Sequence, residues 1–377
     1  MAGAGSMATL VAALGVMVCL TAGCSTLGYY AQSVGGHMEV IQKARPVPDW
    51  LADPATAPAL KQRLELSQRL RDFAVRELKL PDNRSYRSYA DLKRNAVVWN
   101  VVAAPELSLQ LKTWCFPVMG CVGYRGYFDR AKAEREGAAL KSQGWEVNVY
   151  GVPAYSTLGW SNWLGGDPLL NTFLNWPEGD LARLIFHELA HQVAYAADDT
   201  MFNESFATSV ERIGGDRWLR QNATDAARTE VQRADERRRE FRALTLRYRQ
   251  ELDTMYRSNR PEADKRAEKA RLMAAMADEY AIMKTSRWGG YAGYDGWFER
   301  ANNATLAVQA AYDGLVGDFE RLYEQEGADF ERFYAQVRQL AALPKDQRRA
   351  KLAAGLAPPA AAPADPSTHP PATSGSP

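Results

Sequence analysis

Two of the chain's four histidines, His187 and His191, stand four positions apart in the string FHELAH. On a helix this spacing places both imidazoles on one face, where they can hold a single Zn²⁺ ion. Glu188 lies beside them and is suited to take a proton from an attacking water. Glu204, in the string FNESFA, supplies a third ligand. The pattern therefore predicts one zinc ion per chain and a hydrolase that uses it.

Two helices joined by a loop are predicted to bring these ligands together. Uncharged, largely apolar residues flank the first motif, as a buried helix requires. Asp180 is the predicted N-cap of the first helix, and Asn203 is the predicted N-cap of the second, which places Glu204 in its first turn. The second helix is predicted to end at Gly214 and Gly215, because a glycine pair is typical of helix termini.

The tetrahedral intermediate of peptide hydrolysis also needs a hydrogen-bond donor. His37 and His369 stand near the two ends of the chain, so a tyrosine is the better candidate. Tyr155, Tyr291 and Tyr294 are the three tyrosines that we consider for this role or for substrate contact. Ordinary aromatic packing is the alternative for each of them.

The N-terminus carries a short apolar run that ends in small residues before Cys24. The run is shorter than the ~20 apolar residues that cross a bilayer, and it suits the apolar core of a secretion signal. Its end, AGC, resembles the cleavage box of bacterial lipoproteins. We therefore expect residues 1–23 to be removed as a signal peptide and Cys24 to carry lipid. By resemblance to the usual sorting pattern of such lipoproteins, Ser25 in the next position favours the outer membrane, facing the periplasm. A membrane-anchoring or buried N-terminal helix is the alternative.

The remaining cysteines fit an oxidising compartment. Cys115 and Cys121 flank a turn that contains proline and glycine, and they are candidates for a disulfide bond. Two free buried thiols are the alternative. A soft-metal site is less favoured because no third ligand is nearby.

Composition sets the limits of the folded part. Residues 355–377 are rich in alanine and proline and are predicted to be disordered, which leaves residues 24–354 as the globular region. The formal net charge is +1, and this lack of a basic surplus argues against nucleic acid as a partner. The expected partners are a peptide substrate and, through the lipid anchor, the membrane of the bacterial cell envelope.

Hydrophobic periodicity predicts an α+β fold with a small mixed sheet and many helices. Residues 96–152 read as strands and turns with one helix between 131 and 143, whereas residues 55–80 read as a helix. Residues 224–284 read as long charged helices, whose charges indicate solvated faces rather than a binding patch. A further helical set covers residues 303–343.

Three strings in the chain, AYSTLGW (154–160), FHELAHQ (186–192) and FNESFA (202–207), resemble a family of bacterial proteins described as putative aminopeptidases. The strings YYAQS (29–33) and YRGYF (124–128) add weaker support. The resemblance implies a zinc-dependent lipoprotein with a fold of the zincin type, close to the gluzincin metallopeptidases. It also implies zinc held by the two histidines and the glutamate of the second helix, with the glutamate of HELAH catalytic.

The activity that the resemblance implies has alternatives. The HELAH glutamate favours an enzyme, since a structural zinc site needs no general base. A non-catalytic lipoprotein with a structural zinc and a helical partner-binding arm is one alternative, and an amidase that acts on cell-wall peptides is another. An aminopeptidase must also hold the positively charged N-terminus of its substrate, commonly with an acid near the metal. Residues 154–160, which could form a substrate-pairing edge strand or a plain core strand, contain no acid.

Overall fold

The structure, a computed structural model, describes residue 29 and the ranges 32–116, 120–154, 166–197, 199–309 and 314–354. Several predicted features lie outside these residues. They are the signal peptide, Cys24, Tyr155 with residues 156–160, and the tail at 355–377.

Helices make up most of the described chain. Helical residues 32–43 come first. They are followed by α1 (Val47–Ala52), α2 (Pro58–Arg76), α3 (Arg130–Ser142), α4 (Glu178–Ala190), α5 (Thr200–Asn222), α6 (Asp225–Arg257), α7 (Glu262–Ser286), α8 (Asp295–Phe298), α9 (Asn303–Gln309), α10 (Val316–Gln325), α11 (Phe330–Ala341) and α12 (Lys345–Ala354). Among the helices of the described residues, none combines the length and the apolar composition that crossing a membrane requires.

The strands form three small sheets. They are β1 (Arg45–Pro46), β2 (Ser88–Ala90), β3 (Val98–Pro105), β4 (Trp114–Phe116), β5 (Gly120–Val122), β6 (Arg125–Tyr127), β7 (Trp145–Val152) and β8 (Leu169–Leu170). The first sheet has the order β1-β2-β8, in which β2 and β8 are parallel. The second sheet, β6-β3-β7, is antiparallel throughout. The β4–β5 pair places Cys115 opposite Cys121, and a disulfide bond joins the two.

Two buried clusters of apolar side chains organise the helices. The motif core surrounds α4 and α5 and includes Leu70, Phe73, Phe186, Phe206, Phe319 and Phe333. The hairpin core lies between α6 and α7 and includes Leu244, Tyr248, Leu252, Leu272, Met276 and Tyr280. The charged stretch at 224–284 is thus two helices, and the second begins after Pro261. Because proline fixes its own φ and lacks an N–H, it suits this boundary between helices.

The ends of α4 and α5 differ from those predicted from the sequence. The N-cap of α4 is Pro177, and Asp180 lies in the first turn, where its negative charge favours the helix N-terminus. The N-cap of α5 is Asp199, whose side chain accepts a hydrogen bond from the Phe202 backbone N–H. Asn203 instead bridges the backbone N–H and carbonyl of Ala196 in the preceding loop. Neither Asp180 nor Asn203, the polar residues predicted as N-caps, therefore caps its helix.

The prediction that α5 ends at Gly214 and Gly215 is also wrong, since the helix continues to Asn222. A Cβ atom on Gly214 would lie 2.6 Å from Leu78 Cδ1 and 3.1 Å from Phe186 Cδ2. A Cβ atom on Gly215 would lie 2.7 Å from Arg183 Cγ. The two glycines therefore serve the close approach of α4 to α5, which is a packing requirement that local sequence does not reveal.

Candidate metal centre

The α4–α5 pair brings together the three predicted ligands. His187 is the last-turn residue of α4 and His191 is its C-cap, so the two rings lie one turn apart, with centroids separated by 4.8 Å. Glu204 faces them from the first turns of α5. Its carboxylate oxygens lie 3.4 Å from His187 Nε2 and 3.7 Å from His191 Nε2. The ligand atoms that the three residues offer all lie within 4.8 Å of one another.

These separations match the coordination shell of a small divalent ion. Ligand atoms at zinc–nitrogen and zinc–oxygen distances of about 2.0–2.1 Å in a tetrahedron stand about 3.3 Å apart. The two histidine–carboxylate separations, 3.4 and 3.7 Å, are close to that value and longer than a usual hydrogen bond. The donor set, two imidazoles and one carboxylate, is one that zinc favours. The three residues therefore fit a zinc ion.

Glu188 stands next to these ligands in a protected position. Its relative exposure is 9%. Burial raises the pKa of its carboxyl to about 7; the charge of His187 opposes this shift, and the charges of Glu204 and Asp167 add to it. A carboxyl group with a pKa near the working pH is well suited to accept and return a proton.

The two histidines differ in the hydrogen bonding of Nδ1, the ring nitrogen that does not face Glu204. His187 Nδ1 lies 3.0 Å from Glu211 Oε2, whereas His191 Nδ1 is buried with no hydrogen-bond partner among the described residues. Burial opposes protonation of His187, but its interactions with the carboxylates of Glu204 and Glu211 raise its pKa well above the usual value. Burial lowers the pKa of His191 to about 4, and the charge of His187 lowers it further. His191 is therefore a neutral ring with a lone pair for a metal.

Glu211 is a member of the site that the sequence analysis missed. It lies two turns after Glu204 on α5, and it fixes the orientation of the His187 ring. Burial would raise the pKa of Glu211, but the hydrogen bond and charge of His187, with the charge of Arg183, lower it. Such carboxylate–histidine pairs hold a metal ligand in the correct rotamer and tautomer. The spacing of seven residues from Glu204, which is two helical turns, is the signal that could have indicated it.

Arg183 connects the metal helix, α4, to the hairpin that α6 and α7 form. It lies one turn before His187 on α4 and is buried. Its guanidinium group donates to both carboxylate oxygens of Asp235 on α6, at 2.6 and 2.8 Å, and to Asp216 on α5 at 3.2 Å. A guanidinium group that donates to both oxygens of one carboxylate fixes the relative orientation of the two side chains as well as pairing their charges. The hairpin is therefore joined to the helix that carries the two histidines.

The tyrosines considered as hydrogen-bond donors lie in different places. The structure places Tyr291 and Tyr294 beside the hairpin core: Arg237 lies over the Tyr291 ring at 4.4 Å, and Tyr294 stacks on Phe241 at 4.1 Å. Among the described residues, these two rings contact each other and side chains of the hairpin, rather than His187, His191 or Glu204. A fourth tyrosine, Tyr124, interacts electrostatically with the ligand Glu204. Burial raises the pKa of its phenol to about 12, and the charge of Glu204 contributes to the shift.

Comparison with known proteins identifies the class. A family model described as putative aminopeptidase matches residues 28–352, and the chain belongs to this family. The match includes both motif-bearing helices and the hairpin. Searches of curated proteins and of solved structures found no match to the chain.

Proposed function

We propose that the protein is a zinc-dependent aminopeptidase of the bacterial cell envelope. Membership in the aminopeptidase family supports peptidase activity. The observation that carries the zinc-dependent mechanism is the convergence of His187, His191 and Glu204 within 4.8 Å, with buried Glu188 beside them. We further propose that the fold is of the zincin type, with the two histidines on one helix and the glutamate on the next.

The chemistry divides among the residues of the site. His187, His191 and Glu204 would hold the ion. When bound, zinc supplies Lewis acidity, which acidifies water and polarises the peptide carbonyl. Glu188 accepts the proton of the attacking water and returns it to the leaving amine, so it acts first as a base and then as an acid. Glu211 keeps the His187 ring in place throughout.

A structural zinc site is a weaker explanation of the same geometry. Structural sites usually close all four positions with protein ligands, whereas catalytic sites keep one position open. The described residues contribute three ligand atoms to this group. Glu188 would also have no role in a structural site, although it is buried at a cost.

The proposed location in the envelope rests on the N-terminal sequence. We propose that Cys24 carries lipid and anchors the protein to the outer membrane. Incorporation of labelled palmitate into the full-length chain tests this, and a Cys24→Ser variant that still incorporates the label would disprove it.

The decisive test of the mechanism is Glu188→Gln, which keeps the size of the side chain and removes its proton-accepting charge. We expect bound zinc to stay near one per chain while turnover of free-amine fluorogenic peptides falls by roughly 10²–10⁴-fold. Glu65→Gln, an exposed glutamate on α2, is the matched control and should keep full activity. Turnover of the Glu188 variant at the wild-type rate would show that the mechanism is wrong.

N-acetylated peptides in the same assay separate the kinds of peptidase. Cleavage restricted to free-amine substrates supports an aminopeptidase. Cleavage of blocked peptides instead indicates an endopeptidase with the same metal site. Zinc binding without cleavage of either substrate would favour the structural site or a cell-wall substrate.

A further inference from the structure

A surface cavity of about 390 Å³ lies where the beginning of the described chain packs against the antiparallel sheet. Its lining combines two tyrosines and a glutamine with three basic side chains, Arg125, Lys132 and Arg135, and one carboxylate, Glu136. Three positive charges against one negative charge leave a formal surplus of two. A cavity with this balance of charges attracts an anion.

The first described residues hold one wall of the cavity in place. Gln32 Nε2 donates to the Gly126 carbonyl at 3.2 Å, and Gln32 Oε1 accepts a 3.1 Å hydrogen bond from the Phe128 N–H. The Tyr29 hydroxyl accepts a 3.3 Å hydrogen bond from the Gly126 N–H. Gly126 belongs to β6, which is an edge strand of its sheet. The beginning of the described chain is therefore fixed to that edge, beside the cavity.

The three cations of the cavity differ in how firmly they are held. The Arg125 guanidinium group lies 4.6 Å from the centre of the Tyr29 ring, and its Nη1 lies 3.5 Å from Glu136 Oε1. Lys132 and Arg135 are exposed and stand three positions apart on α3, so they share one face of that helix. Because Glu136 offsets the charge of Arg125, Lys132 and Arg135 supply the surplus.

A second cavity, of about 500 Å³, adjoins the first and shares Gln32 and Lys132 with it. It adds two basic and two acidic side chains, which are Arg94, Arg130, Glu39 and Asp129. The added charges cancel, and Glu39 Oε2 lies 3.5 Å from Arg94 Nη1. The positive surplus therefore belongs to the first cavity, with Lys132 at the border between the two.

The first cavity is tied by a short stretch of chain to the proposed lipid anchor. Tyr29, which lines the cavity, follows Cys24 by five residues. Five residues span at most about 18 Å even when fully extended. A lipid on Cys24 would therefore keep the cavity close to the headgroups of the leaflet that holds the anchor.

We infer that this cavity binds the phosphate of an anionic phospholipid, such as phosphatidylglycerol, in that leaflet. The inference rests on the proposed lipidation of Cys24. Arginine and lysine donors complement phosphate oxygens in charge and in hydrogen bonding. Phosphatidylcholine carries a quaternary ammonium group as well, which Lys132 and Arg135 would repel. The site would give the anchored protein a second contact with the membrane, and two contacts restrict its orientation.

The test compares two lipids that differ only in the headgroup. The lipid-anchored protein, purified in neutral maltoside micelles, is mixed with dioctanoyl-phosphatidylglycerol or dioctanoyl-phosphatidylcholine, and native mass spectrometry counts the bound lipid. We expect about 10- to 30-fold tighter binding of phosphatidylglycerol, because two cations act on its phosphate. In the Lys132→Gln/Arg135→Gln variant this ratio should fall to within a factor of about 3 of unity.

The matched control is Lys141→Gln/Arg239→Gln. It removes the same two charges from exposed residues that do not line the cavity, and it should keep the wild-type ratio. Lys132 and Arg135 are both exposed, so their variant should fold, and unchanged thermal unfolding checks this.

Glycerol phosphate is the third ligand, and it distinguishes a lipid from a free phosphate. Weaker binding than that of phosphatidylglycerol supports a lipid site. Binding that is equally tight would show that the cavity takes a soluble phosphate ester, which would overturn the inference.

Two further results would overturn it. One is equal affinity of the wild type for both lipids, and the other is a wild-type ratio retained in the Lys132→Gln/Arg135→Gln variant. Failure of the proposed lipidation is seen separately, in the palmitate assay, which involves neither cation. A chain that takes up the label but shows no headgroup preference loses only this site, whereas a chain without the label loses the anchor on which the site rests.

Discussion

The motif core and the hairpin use the same charged residue types in opposite ways. The motif core includes an ion pair that is almost fully buried: Asp199, with no exposed side-chain surface, pairs with Arg348, whose side chain is 4% exposed. On the hairpin, pairs such as Arg247–Glu279 lie at the surface, with 51% and 38% of the side chains exposed. Burial, rather than composition, therefore separates charges that fix a site from charges that keep a surface soluble.

The largest difference between the regions should appear when one arginine of each pair is removed. Arg348→Ala leaves Asp199 buried with the partly exposed Arg349 as its remaining charged partner, and we expect a loss of about 3–5 kcal/mol in the free energy of unfolding. Arg247→Ala should cost less than about 1 kcal/mol, because water screens its pair. Urea unfolding measures both, and equal losses would break the comparison.

A second test concerns packing instead of charge. Gly214→Ala places a methyl group against the buried Leu78 and Phe186, and overpacking of this kind costs about 1–3 kcal/mol. Gly296→Ala, beside the hairpin core, meets only the flexible end of Arg300 at 3.2 Å and should be almost neutral. Thermal unfolding of both variants checks this. A neutral Gly214 variant would show that α4 and α5 are less tightly packed than described.

A third test concerns the pH dependence of zinc binding. The pKa of His187 is raised, so without metal the ring keeps its proton at neutral pH, and zinc must displace that proton. Affinity should therefore rise with pH, by up to about tenfold per unit below that pKa. Competition with a chelator at pH 6, 7 and 8 measures it. Glu279→Gln on the hairpin should follow the wild-type curve, and an affinity independent of pH would contradict the assignment.

The parts of the site that depend on helical period could be predicted from the sequence. Because positions four apart share a face of a helix, the string HELAH is enough to place His187 and His191 together. The prediction that Glu204 lies beside them also needed a helix–loop–helix arrangement. The structure contains this arrangement, although its N-caps differ from those predicted. That the fold is of the zincin type remains a proposal.

Contacts between distant segments could not be predicted in the same way. Glu211 meets His187 across two helices, and Ser85 Oγ accepts hydrogen bonds from both the Asp167 backbone N–H and the Gln192 side chain, which are far apart in the sequence. Gly214 was wrongly predicted to end α5. Glycine is common at helix ends, but it also allows two elements to pack closely, and the local sequence does not distinguish the two roles. In each case the missing information was which element lies opposite, and that is set by the tertiary fold.

The link between Asp199 and the last helix has a consequence for the order of assembly. Asp199 caps the helix that presents Glu204, and its carboxylate is held by Arg348 and Arg349, near the end of the globular region. A nascent chain lacks both arginines until residue 348 has been synthesised, long after the α4–α5 pair. The contacts that hold the cap of α5 are therefore completed late, and the candidate metal centre has its full support only after α12 has formed.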